Sequence, residues 1–151
     1  MKKINVRQAT TNDLENLAVM FDRYRVFYRQ PSALENAKNF ICERLQQQDT
    51  IIFLAAAEDE LVGYTQLFPS WSSVAMQRVW ILNDLYVEPP HRNQGIAKAL
   101  MSRAHEHAIA TNAARIILAT EVTNEIGQKL YESMGYRVFN KFHHYVLKIN
   151  N

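Results

Sequence analysis

The sequence predicts an α/β chain, in the broad sense that includes α+β. It should build one mixed, mostly antiparallel central sheet of about seven strands with helices on both faces. Three observations predict this. Apolar runs alternate in the order β-α-α-β-β-β-α-β-α-β-β. Glu58-Asp59-Glu60 joins two apolar runs as a hairpin. A helix then separates two further strands, which is the pattern of a parallel crossover. A chain of 151 residues suits a single domain, 1–151.

The elements follow in order. Ile4 to Gln8 alternates apolar and polar and reads as a strand. Thr10 caps a helix, with Asp13 three residues on as an acidic capping box. Leu14, Leu17, Ala18, Phe21, Tyr24 and Phe27 give that helix its apolar face, and Gln30-Pro31-Ser32 breaks it. A second helix runs from about Ala33 to Gln47, with Ala37, Phe40, Ile41 and Leu45 inward. Thr50 to Ala57 and Leu61 to Phe68 are the hairpin strands, and Pro69 to Met76 reads as an irregular loop holding Trp71. Val79 to Val87 is a strand stopped by Pro89 and Pro90, whose locked φ and missing N–H cannot continue a ladder. Ile96, Leu100, Met101, Ala104 and Ala108 recur at helical spacing. Arg115 to Thr120 is a short strand, Glu125 to Met134 a helix, and Gly135 a helix stop. Tyr136 to Phe139 and Phe142 to Ile149 complete the sheet.

Composition narrows the function classes. Hydrophobic residues make up 48% and charged residues 21%, as in ordinary globular chains. A net charge of +2 does not argue for nucleic acid. The one cysteine, Cys42, excludes a disulfide framework within the chain and fits a reducing, cytoplasmic setting. Its apolar, helix-like surroundings point to a buried, inert thiol. No apolar run is long enough to span a bilayer, and Met1-Lys2-Lys3-Ile4-Asn5 leads into no apolar signal segment. The five histidines show no metal-ligand spacing, so no metal is expected.

Between strand and helix sits Arg92-Asn93-Gln94-Gly95-Ile96-Ala97. Gly95 permits an unusual φ and close backbone approach to a ligand. The first N–H groups of the following helix lack intrahelical partners and carry its positive dipole end. Such a loop is built for a phosphate or diphosphate, with Arg92 adding charge. Neither a dinucleotide fingerprint nor a Walker A loop is present.

Arg92-x-x-Gly95-x-Ala97, directly after Leu85-Tyr86-Val87, resembles the acetyl-coenzyme A signature of the GNAT superfamily of N-acetyltransferases. Asn124, then Leu130-Tyr131, then Gly135-Tyr136 resembles that family's second conserved segment, and Val6-Arg7-Gln8-Ala9-Thr10 with Asp13 resembles its opening strand and helix start. The resemblance covers nearly the whole chain and implies one N-acetyltransferase domain, with acetyl-coenzyme A as cosubstrate. It implies that Leu85, Tyr86 and Val87 pair through their backbone with the pantetheine arm. Arg92, Asn93, Gln94, Gly95, Ile96 and Ala97 would hold the diphosphate, and Asn124 the pantetheine side. Asn124 can equally be a helix N-cap.

The resemblance also implies roles in the chemistry. Tyr131 would protonate the departing thiolate, although a tyrosine at this helical position also reads as core. The incoming amine must lose a proton, and Asp84 is the first candidate base, Glu121 the second. A carboxylate on a half-buried strand is costly, so Asp84 is either functional or salt-bridged. Asn83-Asp84 departs from the Glu-Asp pair of polyamine acetyltransferases. Tyr24 and Tyr28, one turn apart on a helix, could wall the acceptor site with Tyr86 and Trp71. The expected acceptor is a primary amine of a small molecule, with transfer direct in a ternary complex. A protein lysine or N-terminus, or a non-catalytic acyl-coenzyme A module, are the alternatives. Neither nucleic acid nor membrane is an expected partner. A homodimer could form through an exposed C-terminal strand from Phe142.

Overall fold

The computed structural model describes residues 2–150. The chain forms two compact units, one ending at Ala119 and the other beginning at Thr120. The first unit holds β1 (Ile4–Gln8), a 3-10 turn (Thr11–Asp13), α1 (Leu14–Phe27), α2 (Leu34–Gln47), β2 (Ile51–Ala57), β3 (Glu60–Ser72), β4 (Gln77–Val87), a second 3-10 turn (Pro89–His91), α3 (Ile96–Ala110) and β5 (Arg115–Ile117). Its five strands lie in sequence order, antiparallel except for the parallel β4–β5 pair. The mixed sheet expected from the sequence is therefore present.

Helices cover both faces of this sheet. Ile52 and Leu54 of β2 pack with Leu17, Met20 and Phe21 of α1 and Ile41 of α2. Phe53, between them, turns to the opposite face, where it meets the ring of His107 and the guanidinium of Arg103 on α3. Because successive side chains alternate, a strand covered on both sides must be apolar throughout, and β2 reads Ile-Ile-Phe-Leu-Ala-Ala-Ala. The capping box at Thr10 and Asp13 forms as its spacing predicts, and Arg7 reinforces it through a two-pronged pair with Asp13.

A β-bulge interrupts β4. Gln66 opposes Asp84 and Leu67 opposes Leu82, so Asn83 is the unmatched residue. The bulge reverses the facing of β4. Trp80, before it, packs on His107 of α3. Tyr86, an even number of residues later, packs with the α1 and α2 cluster.

Four expectations are corrected. Pro69 to Met76 is not a loop: β3 continues to Ser72, with Pro69 opposite Trp80 and Trp71 opposite Arg78, and only residues 73–76 turn. Pro69 is tolerated because β2 ends its pairing at Leu67, so the missing N–H faces an open edge. The strand expected over Arg115 to Thr120 stops at Ile117. Tyr136 to Phe139 and Phe142 to Ile149 form no strand, so the exposed edge expected from Phe142 is not offered. Cys42 is half-buried rather than enclosed.

The second unit is organised by α4 (Glu125–Ser133). Its N-cap is Asn124, whose side-chain oxygen accepts the Gly127 N–H. Its end is a Schellman turn: Gly135, at φ +96°, donates to Glu132, and Tyr136 donates to Tyr131. The Tyr131 and Tyr136 rings lie 6.4 Å apart across that turn.

Candidate active site

The end of β4 combines an open strand edge with a donor-rich helix start. β4 pairs with β5 only from Val79 to Ile81, whereas its pairing with β3 continues to Val87. Among the described residues, no strand pairs with Leu82 to Val87 on the β5 side. Glu88 donates its N–H to Val62 on the β3 side, and the Tyr86 carbonyl lies against Gly63 there. The groups of Leu85 and Val87 therefore point to the open side. Such an edge can take an added strand.

Beyond Pro89 and Pro90 the backbone takes two left-handed residues, Asn93 at φ 63° and Gly95 at φ 80°. Gly95 is the N-cap of α3, and no atom lies within 4 Å of where a side chain on it would begin. Asn93, Gln94 and Gly95 are exposed, Ala97 is half-buried, and Ile96 is buried against the sheet. The early N–H groups of α3 thus face open space with their dipole. The Arg92 side chain goes elsewhere. Its Nε donates to the Val87 carbonyl at 2.8 Å, and its guanidinium lies 5.1 Å from the Phe27 ring centre and 5.5 Å from that of Tyr86.

The α1 face of the same strand carries an aromatic wall over a buried carboxylate. Tyr24 meets Tyr28, Tyr64 and Tyr86 edge-on, at 5.0, 5.8 and 6.1 Å between ring centres. Its hydroxyl donates to the Asn83 carbonyl freed by the bulge. Asp84 lies beneath, 2% exposed. Among the described residues it forms no salt bridge. Tyr64 and Gln66 donate to its Oδ2 at 2.9 and 3.0 Å, and Asn83 donates to its Oδ1 at 2.7 Å. Burial raises its pKa above the ordinary carboxylate range, against the pull of Asn83, Tyr64 and Gln66. Tyr64 is pushed well above an ordinary phenol, first by its own burial and then by the Asp84 charge. At the rim, Glu88 pairs with Arg23 of α1. Tyr86 is raised by burial and then by Glu88.

Of the wall residues expected, the structure gathers Tyr24, Tyr28 and Tyr86 into one cluster with Tyr64, the Asp84 partner, and leaves out Trp71. Trp71 stands opposite Arg78, about 23 Å along the ladder from the Tyr64–Tyr86 pair at a strand's rise per residue. Sequence reasoning missed Tyr64, Gln66, Phe27 and the Arg23–Glu88 pair. The even spacing of Tyr64 and Gln66 on β3 was visible. Their partnership with Asp84 depends on a register that only the bulge defines.

In the second unit, Asn124 caps α4 and its Nδ2 donates to Thr120 at 2.9 Å, so both ends of its amide are engaged. Tyr131 is half-buried on α4, and Glu121 is exposed, its carbonyl accepting from Asn124 and Gln128. Among the described residues no group of three or more His, Cys, Asp or Glu could hold a metal ion. No described helix is long and apolar enough to cross a membrane.

The acetyltransferase (GNAT) family model matches residues 15–136. The uncharacterized N-acetyltransferase YhfO of Bacillus subtilis is 41% identical over 146 residues, which is 97% of this chain and 98% of that protein. A probable acetyltransferase of Haemophilus influenzae is 30% identical over 130 residues, covering 83% of this chain and 85% of that one. The crystal structure of a probable acetyltransferase superposes with a TM-score of 0.93 at 42% identity, over 97% of this chain and 99% of that chain. Open strand edge, glycine-bent helix start and these likenesses agree: the chain belongs to the GNAT family of acetyltransferases, enzymes whose cosubstrate is acetyl-coenzyme A.

Proposed function

We propose that this enzyme passes the acetyl group of acetyl-coenzyme A directly to the primary amine of a small molecule. One observation carries the reading. β4 loses its β5 pairing after Ile81, and the edge groups of Leu85 and the N–H of Val87, on either side of Tyr86, lead straight into the helix start at Gly95. A pantetheine arm carries amides of its own and would add to that edge as a strand. The backbone of residues 92–97 suits the diphosphate that follows it.

In the transfer, the neutral amine nitrogen attacks the thioester carbonyl carbon. A C–N bond forms, the C–S bond breaks, and its electron pair leaves on sulfur. Backbone N–H groups polarise the carbonyl oxygen. Asp84 takes the proton that the acceptor ammonium must shed, and the raised pKa of its carboxyl makes it a stronger base than an exposed one. Glu121 is the second carboxylate proposed for this step. Tyr131 gives its proton to the departing thiolate and Asn124 assists the pantetheine side. Both assignments rest on the sequence resemblance. The single cysteine, Cys42 on α2, has no part, so no acetyl-enzyme forms. The wall of Tyr24, Tyr28 and Tyr86 over one carboxylate supports a compact acceptor over a protein tail.

Thiol release from acetyl-coenzyme A across a panel of small amines and lysine peptides tests this, alongside calorimetry with the thioester. Small amines should yield coenzyme A above background. Binding without turnover on any small amine, or turnover on peptides alone, would overturn the acceptor class. Tyr131→Phe should lower turnover by about 100-fold while thioester affinity holds. Unchanged turnover rejects the acid role.

A further inference from the structure

We propose that Arg92 is the receptor for a carboxylate on the acceptor, so that the substrate is an amino acid or another amine bearing a nearby carboxylate. This rests on the reading that the open β4 edge takes the thioester. The position of Arg92 in the signature invites a role at the diphosphate. Its geometry points the other way.

The helix start that suits the diphosphate belongs to α3, whose Ile96 and Leu100 pack towards Gly63 on one face of the sheet. The Arg92 guanidinium lies over Phe27 of α1 and over Tyr86, which belongs to the opposite, α1-facing core. It is therefore on the side of Tyr24 and Asp84. It is also held. The Nε–Val87 bond fixes the root of the fork, and the two rings support its plane. With Nε engaged, the terminal nitrogens remain. Among the described residues no carboxylate or other acceptor is bonded to them. The nearest acidic group in sequence, Glu88, is committed to Arg23.

A planar fork with fixed orientation and free terminal donors matches a carboxylate in two-pronged fashion. An acceptor bound this way sets its anionic end at Arg92 and lays its apolar part along Phe27 and Tyr86. Its amine then lies towards Asp84, on the same face. Polyamines, which lack an anion, would meet an uncompensated cation at the rim and be disfavoured.

The test compares kcat/KM for a series of L-amino acids, their amides and the matching decarboxylated amines, using the full chain with acetyl-coenzyme A. The wild type should favour the carboxylate member by roughly 10- to 100-fold. In Arg92→Gln that ratio should fall towards one, with the loss appearing in KM for the amino acid. Arg92→Lys should retain part of it, since charge survives and the fork does not. Calorimetric affinity for acetyl-coenzyme A should change by less than the KM for the amino acid, because residue 92 serves the diphosphate through its backbone. Weakened thioester affinity with an unaltered acceptor ratio would assign Arg92 to the diphosphate and overturn the proposal. A wild type that prefers amides or amines overturns it without any variant, so a poorly folding Arg92→Gln does not protect it. A chain that acetylates no amine defeats the proposed function itself, a distinct outcome.

Discussion

Two buried carboxylates sit in different regions of the first unit and are treated oppositely. Asp22, on α1, is 8% exposed and accepts from the Ser32 hydroxyl at 2.6 Å and the Ala33 N–H at 2.8 Å. Those bonds hold its pKa below the ordinary carboxylate range. Asp84, on β4, is 2% exposed and accepts three bonds from neutral side chains, yet burial wins and its pKa rises. The number of donors does not decide the sign. Asp22 ties the α1–α2 link with a backbone N–H and a hydroxyl at its rim. Asp84 lies inside a sheet roofed by tyrosines, where charge is poorly solvated. The first arrangement stabilises an ionised group and locks a loop. The second keeps a carboxylate ready to take up a proton.

The largest expected effect separates these roles. Asp84→Asn should lower turnover by about 100-fold or more, with the fold retained. Tyr64 can rotate its hydroxyl and Gln66 can flip its amide to meet the new side chain. Asp22→Asn should leave turnover within a few-fold, and steady-state kinetics would read both. Similar losses in the two variants would erase the distinction.

Stability against pH gives the next effect. The folded chain holds the Asp84 proton more tightly than the unfolded chain does. That contribution is greatest at low pH and is lost as pH rises from about 3.9, the ordinary carboxylate value, through the raised folded pKa. Asp22 works in reverse. Its contribution is present above the ordinary carboxylate pKa and is lost as pH falls through its lowered one. Urea unfolding across pH should therefore lose its acid limb in Asp22→Asn and flatten on the neutral side in Asp84→Asn. At pH 7, Ser32→Ala should cost about 1 kcal/mol, the net value of one hydrogen bond. The smallest effect is Tyr64→Phe. It removes one donor from the carboxylate, so the acid limb of the kcat/KM profile should move up by about one pH unit. A downward shift would mean that Tyr64 does not act on Asp84.

Much of the site was legible because its residues are conformationally loud. Pro89, Pro90 and Gly95 announce a strand end and a bent helix start from the sequence, and Ile96, Leu100 and Ala104 fix the buried face of α3. The direction of the Arg92 side chain was not legible, because loop spacing carries no information about which face a long side chain crosses to. Trp71 was misplaced for a related reason. Pro69 looks like a strand terminator unless one knows that its N–H side borders nothing. The alternation over Phe142 to Ile149 has the strand period but cannot supply a partner, and no ladder forms there. The unmatched residue at Asn83 left no trace, since Val79 to Leu82 and Leu85 to Val87 are apolar on either phase.

That extra residue has an evolutionary consequence. It makes β4 a strand of two allegiances, the first half answering to α3 and the second to α1. The second half carries both the open edge and the face turned to the tyrosines, while the first half is occupied by its packing on α3 and its pairing with β5. Lose Asn83, and the two allegiances merge: the carboxylate would swing to the far side of the sheet, and a one-residue deletion would undo both at once.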